Sequence, residues 1–134
     1  MTLMKTFILL AWLTTLLPLT LGETKPPQRI TPAEAKNHDG ELVIVCGKAV
    51  DSKISKYAIP GRGRTVTFDL DEPEPNPVFY FVAFGSDAAK LKRIQETYQG
   101  QQVCVTGKIT KFHDVPYVMV TESSQLKLQS VGQK

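Results

Sequence analysis

Only two histidines occur in the 134-residue chain, His38 and His113, 75 positions apart, and neither belongs to a metal-ligand spacing. There are only two cysteines, Cys46 and Cys104, so no Cys-x-x-Cys pair exists for zinc or for thiol exchange. No Gly-x-Ser-x-Gly elbow is present, which leaves no serine-hydrolase nucleophile of that type. The glycine-rich stretch Gly61-Arg62-Gly63-Arg64 lacks the lysine and hydroxyl that follow in a nucleotide-phosphate loop. One-signed charge is scarce too. Sixteen basic residues against 13 acidic ones is too mild an excess for a nucleic-acid footprint spread over the whole surface. The expectation is a protein with no metal, no cofactor and no catalytic residues.

The one long hydrophobic run is at the start. Residues 1–5 carry one lysine and no acid, residues 6–21 are almost wholly apolar, and Thr20-Leu21-Gly22 offers small residues where a signal peptidase reads. These are the three parts of a secretory signal, with cleavage expected after Gly22. A retained anchor is the alternative, but the run is short for a span and contains Pro18. No cysteine follows it to carry a lipid, and no later run could cross a bilayer. Processing leaves about 112 residues, one domain's worth, with 15 basic and 13 acidic side chains. A periplasmic or secreted location follows, and there a disulfide can persist.

Residues 23–29 read as a disordered leader and 129–134 as a tail, with the domain at 30–128. Thr31-Pro32-Ala33-Glu34 has the cap, the proline and the acid of a helix start. Residues 40–49 are then echoed by residues 100–109. Both read Gly, two residues, Val, one residue, Val, one residue, Gly-Lys, at a constant offset of 60. Strand side chains alternate between faces. Val103, Val105 and Ile109 therefore form the inner face, while Cys104 lies on the outer one; Cys46 holds the matching position against Val43 and Val45. Were the two segments antiparallel neighbours, a Cys46–Cys104 disulfide would be within reach; two unpaired thiols are the alternative.

Val66, Phe68 and Leu70 alternate with Thr67 and Asp69 as a half-buried strand. Residues 71–77 (DEPEPNP) are too rich in proline and acid for a central strand. Residues 78–84 (VFYFVAF) form an aromatic strand in which Phe79 and Phe81 suit the core and Tyr80 the groove. Ser86 or Asp87 caps a helix to Tyr98 whose inner face is Ala88, Leu91, Ile94 and Tyr98. A tight turn at 112–114 leads to a last strand at 116–121.

Three strands, a helix and two more strands spell an all-β domain with short helices. The expected form is a five-stranded Greek-key barrel of OB type, with a helix between strands three and four and a short N-terminal helix. Gly47 and Gly107 would serve its sharp bends. An open α+β sheet is the rival. Over about residues 30–128, the stretches Val45-Cys46-Gly47-Lys48, Thr67-Phe68-Asp69-Leu70, Phe84-Gly85-Ser86-Asp87 and Val103-Cys104-Val105-Thr106-Gly107-Lys108-Ile109 resemble small exported bacterial proteins classed as OB-fold nucleic-acid-binding domains. The resemblance implies the barrel and, by class, nucleic-acid binding. The acidic 71–77 loop departs from what such a surface favours.

An OB barrel binds across strands two and three, flanked by the one-to-two and four-to-five loops. The first loop, taken as residues 51–65, holds Lys53, Lys56, Tyr57, Arg62 and Arg64. The second region holds Lys108, Lys111, His113 and Tyr117. Cations track phosphates and aromatics stack on unpaired bases. These residues with Tyr80 form the expected site for single-stranded DNA or RNA, with both loops gathered at one mouth. A solvated basic loop with no partner explains the same residues. So does a module for an envelope protein, peptide or oligosaccharide. A metal-dependent nuclease is a weaker third reading, because Asp69 and Asp71 near Arg62 and Arg64 lack a further ligand in register.

Overall fold

The computed structural model describes residues 15, 16, 18 and 25–129. Most of the expected signal segment and the last five residues lie outside that range. Among the described residues, no helix is long and apolar enough to cross a membrane.

Eight strands are found rather than five. They are β1 (Gln28–Ile30), β2 (Leu42–Ile54), β3 (Arg64–Leu70), β4 (Tyr80–Gly85), β5 (Gln102–Lys108), β6 (Thr110–Phe112), β7 (Val115–Val120) and β8 (Leu126–Leu128), with helix α1 (Ala88–Tyr98) between β4 and β5. Three features raise the count. β1 adds to β2 in parallel, β8 adds to β5, and the expected fourth strand is cut at Ile109 into β5 and β6. Ile109 is buried, and its backbone bonds to residues 40 and 41 rather than continuing the ladder.

The pairing path is β6-β7-β4-β3-β2-β5-β8. Among the described residues no ladder joins β5 to β6 or β7, so the path is open where the sequence led us to expect a closed ring. β2 belongs to both halves of it. Leu42–Lys48 pair with β5, and Ala49–Ile54 pair with β3. The change of partner falls at a register shift between Ala49 and Asp51, where a bulge bends the strand and increases its twist.

The echoing segments lie side by side and antiparallel, with Val45 opposite Val105 and Cys46 opposite Cys104. The cysteines form a disulfide, consistent with an oxidising compartment. Gly107 serves a close approach as well as a strand. A β-carbon there would stand 2.3 Å from Cγ1 of Val118 on β7, so the two halves meet where only hydrogen fits.

Inward side chains of both halves fill one core: Val43, Val45, Val66, Phe68, Leu70, Phe81, Val103, Val105 and Val118, joined by Phe79 just before β4. Phe68 and Phe81 stack with ring centroids 4.8 Å apart. The Asp87 side chain caps α1 by accepting from the Lys90 N–H at 2.8 Å. Leu91 seals the core, and Ile94 and Tyr98 pack against it; Ala88, expected on that face, is exposed. The N-terminal helix is a 3-10 helix at Pro32–Asn37, and Glu34 accepts from the Thr31 N–H.

Candidate ligand-binding face

Alternation along β3, β4 and β7 sends Thr65, Thr67 and Asp69, then Tyr80, Val82 and Phe84, then Tyr117 and Met119 away from the core. Register aligns them in rows. Asp69 faces Tyr80, which faces Tyr117; Thr67 faces Val82, which faces Met119. Tyr80 and Tyr117 stack with centroids 5.1 Å apart and planes 8° from parallel. Val82, Met119 and the stacked tyrosines thus form an apolar patch across two adjacent rows, edged by Thr67 and Asp69 on β3.

The structure divides the ten residues expected to form the site. Tyr80 and Tyr117 lie together at one end of the face. Lys53, expected in a loop, is on β2 opposite Thr67 and exposed. The reason is the bulge, which carries the strand on through Ile54, so the loop is only residues 55–63. Arg62 reaches over the face, with Nη1 3.5 Å from Sδ of Met119. Arg64 is committed elsewhere. Its Nε and Nη2 both donate to the Ser55 carbonyl, at 2.9 and 2.7 Å, stitching the loop base to β3. Lys56 and Tyr57 lie in the first part of the loop, ahead of the turn that the Ile59–Gly63 bridge closes, and Tyr57 is 83% exposed. Lys108 shares the outer side of β5 with Cys104 and Thr106, away from the tyrosines. Lys111 opposes Pro116 and takes the other side of β6 from Thr110, which opposes Tyr117. His113 sits in the β6–β7 turn with φ of 49°.

The two basic loops do not meet at one mouth. The 55–63 loop rests against the end of β4, where Gly63, with φ of 87°, would place a β-carbon 2.6 Å from the Gly85 carbonyl oxygen. His113 lies at the opposite end, beside Asp69 and Tyr80. The row pairing Arg64 with Gly85 and the row pairing Asp69 with Tyr80 are five residues apart, about 17 Å. β7 runs parallel to β4 and therefore against β3, so the turns that precede β3 and β7 fall at opposite ends.

The far end is acidic. Asp69 points outward yet is only 6% exposed. Burial raises its pKa to about 6, helped by the charges of Glu74 and Asp51 and partly offset by a hydrogen bond from the Glu74 backbone. Burial likewise raises the Tyr80 hydroxyl, followed by Tyr117, Asp69 and Glu74. Glu74 was not expected as a site residue, and Asp69 was weighed only as a metal ligand in the weaker nuclease reading. The acid-rich 71–77 loop signalled them, but its folding back over β3 is a tertiary event. Among the described residues, no group of three His, Cys, Asp or Glu side chains is placed to hold a metal ion.

No protein-family model and no curated protein matches the sequence. Among solved structures, the fold is similar to part of a putative aspartyl-tRNA synthetase from Leishmania major Friedlin, with a TM-score of 0.48 and 11% identity over 78% of this chain and 21% of that one. The chain thus spans about a fifth of that protein's length.

Proposed function

We propose that this chain is an exported, non-catalytic binding module of OB type that takes single-stranded nucleic acid across the outer face of β3, β4 and β7. The observation that carries the reading is the apolar row on that face. Tyr80, Tyr117, Val82 and Met119 lie together there, with Arg62 at the Met119 end. Rings of this kind stack on unpaired bases with little sequence preference, and a guanidinium beside them meets the backbone phosphate. Lys53 adds a second cation one strand away.

The barrel reading rests on topology. β5 and β6 are separated by Ile109 alone. If they count as one bent strand, the pairings β2–β3–β4–β7–β6 return to β2 through β5, as in the partly open five-stranded OB barrel. The Cys46–Cys104 bond supports export.

The test is an anisotropy titration of a labelled oligothymidylate against the full chain between about 50 and 200 mM salt. We expect weak binding that falls steeply with salt. Tyr117→Ala should weaken it roughly 5- to 100-fold, the loss of one stacked base. Absence of binding at the lowest salt, or an unchanged affinity in Tyr117→Ala, would overturn the reading. Oligonucleotide cleavage on adding a divalent cation would overturn its non-catalytic part.

A further inference from the structure

We propose that the cavity between β3, the 71–77 loop and the β6–β7 turn is a receptor for an organic cation, an alkylammonium or guanidinium group. The cavity holds about 330 Å³ and is walled by Asp69, Glu74, Pro75, Pro77, Tyr80, Phe112 and His113. That is space for roughly ten waters, enough for the end of an arginine or lysine side chain or a segment of a polyamine.

The chemistry of the walls selects the ligand. Asp69 is almost wholly buried and lines the cavity. Its carboxylate receives a backbone hydrogen bond from Glu74, but among the described residues no lysine or arginine pairs with it, with Glu74 or with Asp51. A desolvated carboxylate crowded by two further acids is costly until a cation joins it. An anion is repelled from such a place. A calcium ion would need six to eight oxygens, and these walls are largely aromatic and prolyl. Aromatic faces together with carboxylates suit an organic cation, which gains both charge-assisted hydrogen bonds and attraction to the ring quadrupole. Phe112 is 60% exposed at the rim, leaving an aromatic surface available to an entering ligand.

The charged and titratable groups around the site come from every neighbouring element: Asp51 from β2, Asp69 from β3, Glu74 from the loop, Tyr80 from β4, Tyr117 from β7 and His113 from the turn. Binding should therefore be strongest above pH 6, where Asp69 is ionised. It should fade in acid, as the Asp69 carboxylate takes up its proton.

The site borders the proposed nucleic-acid face at Tyr80 and lies about 17 Å along the strands from the Arg64–Gly85 row, and its test uses cationic probes in place of an oligonucleotide, so either reading can fail alone. The test is an NMR chemical-shift titration of the isotope-labelled full chain with three probes: the peptide acetyl-Gly-Arg-Gly-amide, its uncharged citrulline isostere, and spermidine. We expect the arginine peptide or spermidine to shift amides at residues 69, 74, 80 and 113. The citrulline peptide should not, and Asp69→Asn should weaken binding about tenfold or more. Asparagine keeps the shape and removes a buried charge, and the dispersion of its spectrum checks the fold. A response to the peptide alone points to a protein side chain as the natural ligand; a response to spermidine alone points to a free polyamine. No response to either cation, an equal response to citrulline, or an unweakened Asp69→Asn would overturn the proposal.

Discussion

β2 shows two outer faces, and they are put to different uses. Where the strand pairs with β5, its outward Cys46 is tied to Cys104. Where it pairs with β3, its outward Asp51 and Lys53 border an uncovered row of tyrosines, valine and methionine. One half of the fold spends its surface on a covalent staple, and the other keeps its surface for a ligand. Substitutions on the stapled side should therefore change stability and leave the affinity of the folded protein alone. Substitutions of exposed residues on the aromatic side, away from the buried Asp69, should do the reverse.

The largest effect is expected from the staple. Its cysteines are 58 residues apart, so the bond removes a large loop from the unfolded ensemble. Cys46→Ala with Cys104→Ala should lose about 2–5 kcal/mol, read by urea denaturation. The folded fraction should bind oligothymidylate as before. A change in that affinity would show that the two faces are coupled.

Next comes the point where the halves touch. Gly107→Ala forces a β-carbon against Val118 and should cost about 1–3 kcal/mol by overpacking. Adding Val118→Ala removes the opposing methyls, so the double variant should lose less than the sum of the two single losses. Additive losses in the denaturation midpoints would show that β5 and β7 are not in tight contact there.

Smaller still is the pH term of Asp69. Its folded pKa of about 6 lies above the ordinary 3.8, so the folded state holds the proton more tightly than the unfolded chain does. Stability from this group therefore rises as pH falls from about 7 through 6, and the gain is complete below about 4. Asp69→Asn should raise stability at pH 7.5 by about 1–2 kcal/mol, a figure discounted for screening by solvent in the cavity. The advantage should vanish near pH 4. Melting temperatures of both proteins across that range measure it, and a constant difference would refute the assignment.

How much of this was legible in the sequence depends on how local each feature is. The echo at 40–49 and 100–109 carried both parity and pairing, because alternation fixes the face of every residue once one is known. Cys46 therefore fell opposite Cys104 as expected. The length of β2 was not legible. A bulge breaks the alternation at Ala49–Asp51, and the polar residues beyond it resemble a loop. The burial of Asp69 was hidden for another reason. Its outward parity was plain, but its covering comes from a loop of prolines and acids, whose path no periodicity encodes. The separation of the two basic loops did follow from strand directions, since β7 runs with β4 and against β3. Charge clustering in the sequence says nothing of direction.

The finest distinction lies between two arginines two residues apart. Arg64 gives two hydrogen bonds to the Ser55 carbonyl, while the exposed Arg62 side chain meets only the sulfur of Met119 among acceptors of the described residues. Sequence treats them alike, as members of one basic loop. Physically they divide as the two faces of β2 do. Arg64→Ala should cost about 1 kcal/mol, because it frees the loop base and leaves a part-buried carbonyl without its donors. Arg62→Ala should change stability by less than about 0.5 kcal/mol. In binding the order reverses. Loss of a phosphate contact at Arg62 should weaken affinity for every oligonucleotide alike and lower the salt slope by about one, whereas Arg64→Ala should leave that slope unchanged. Equal slopes in the two variants would mean that the cation over Met119 does not meet the phosphate, and the ligand would have to cross the face by another path.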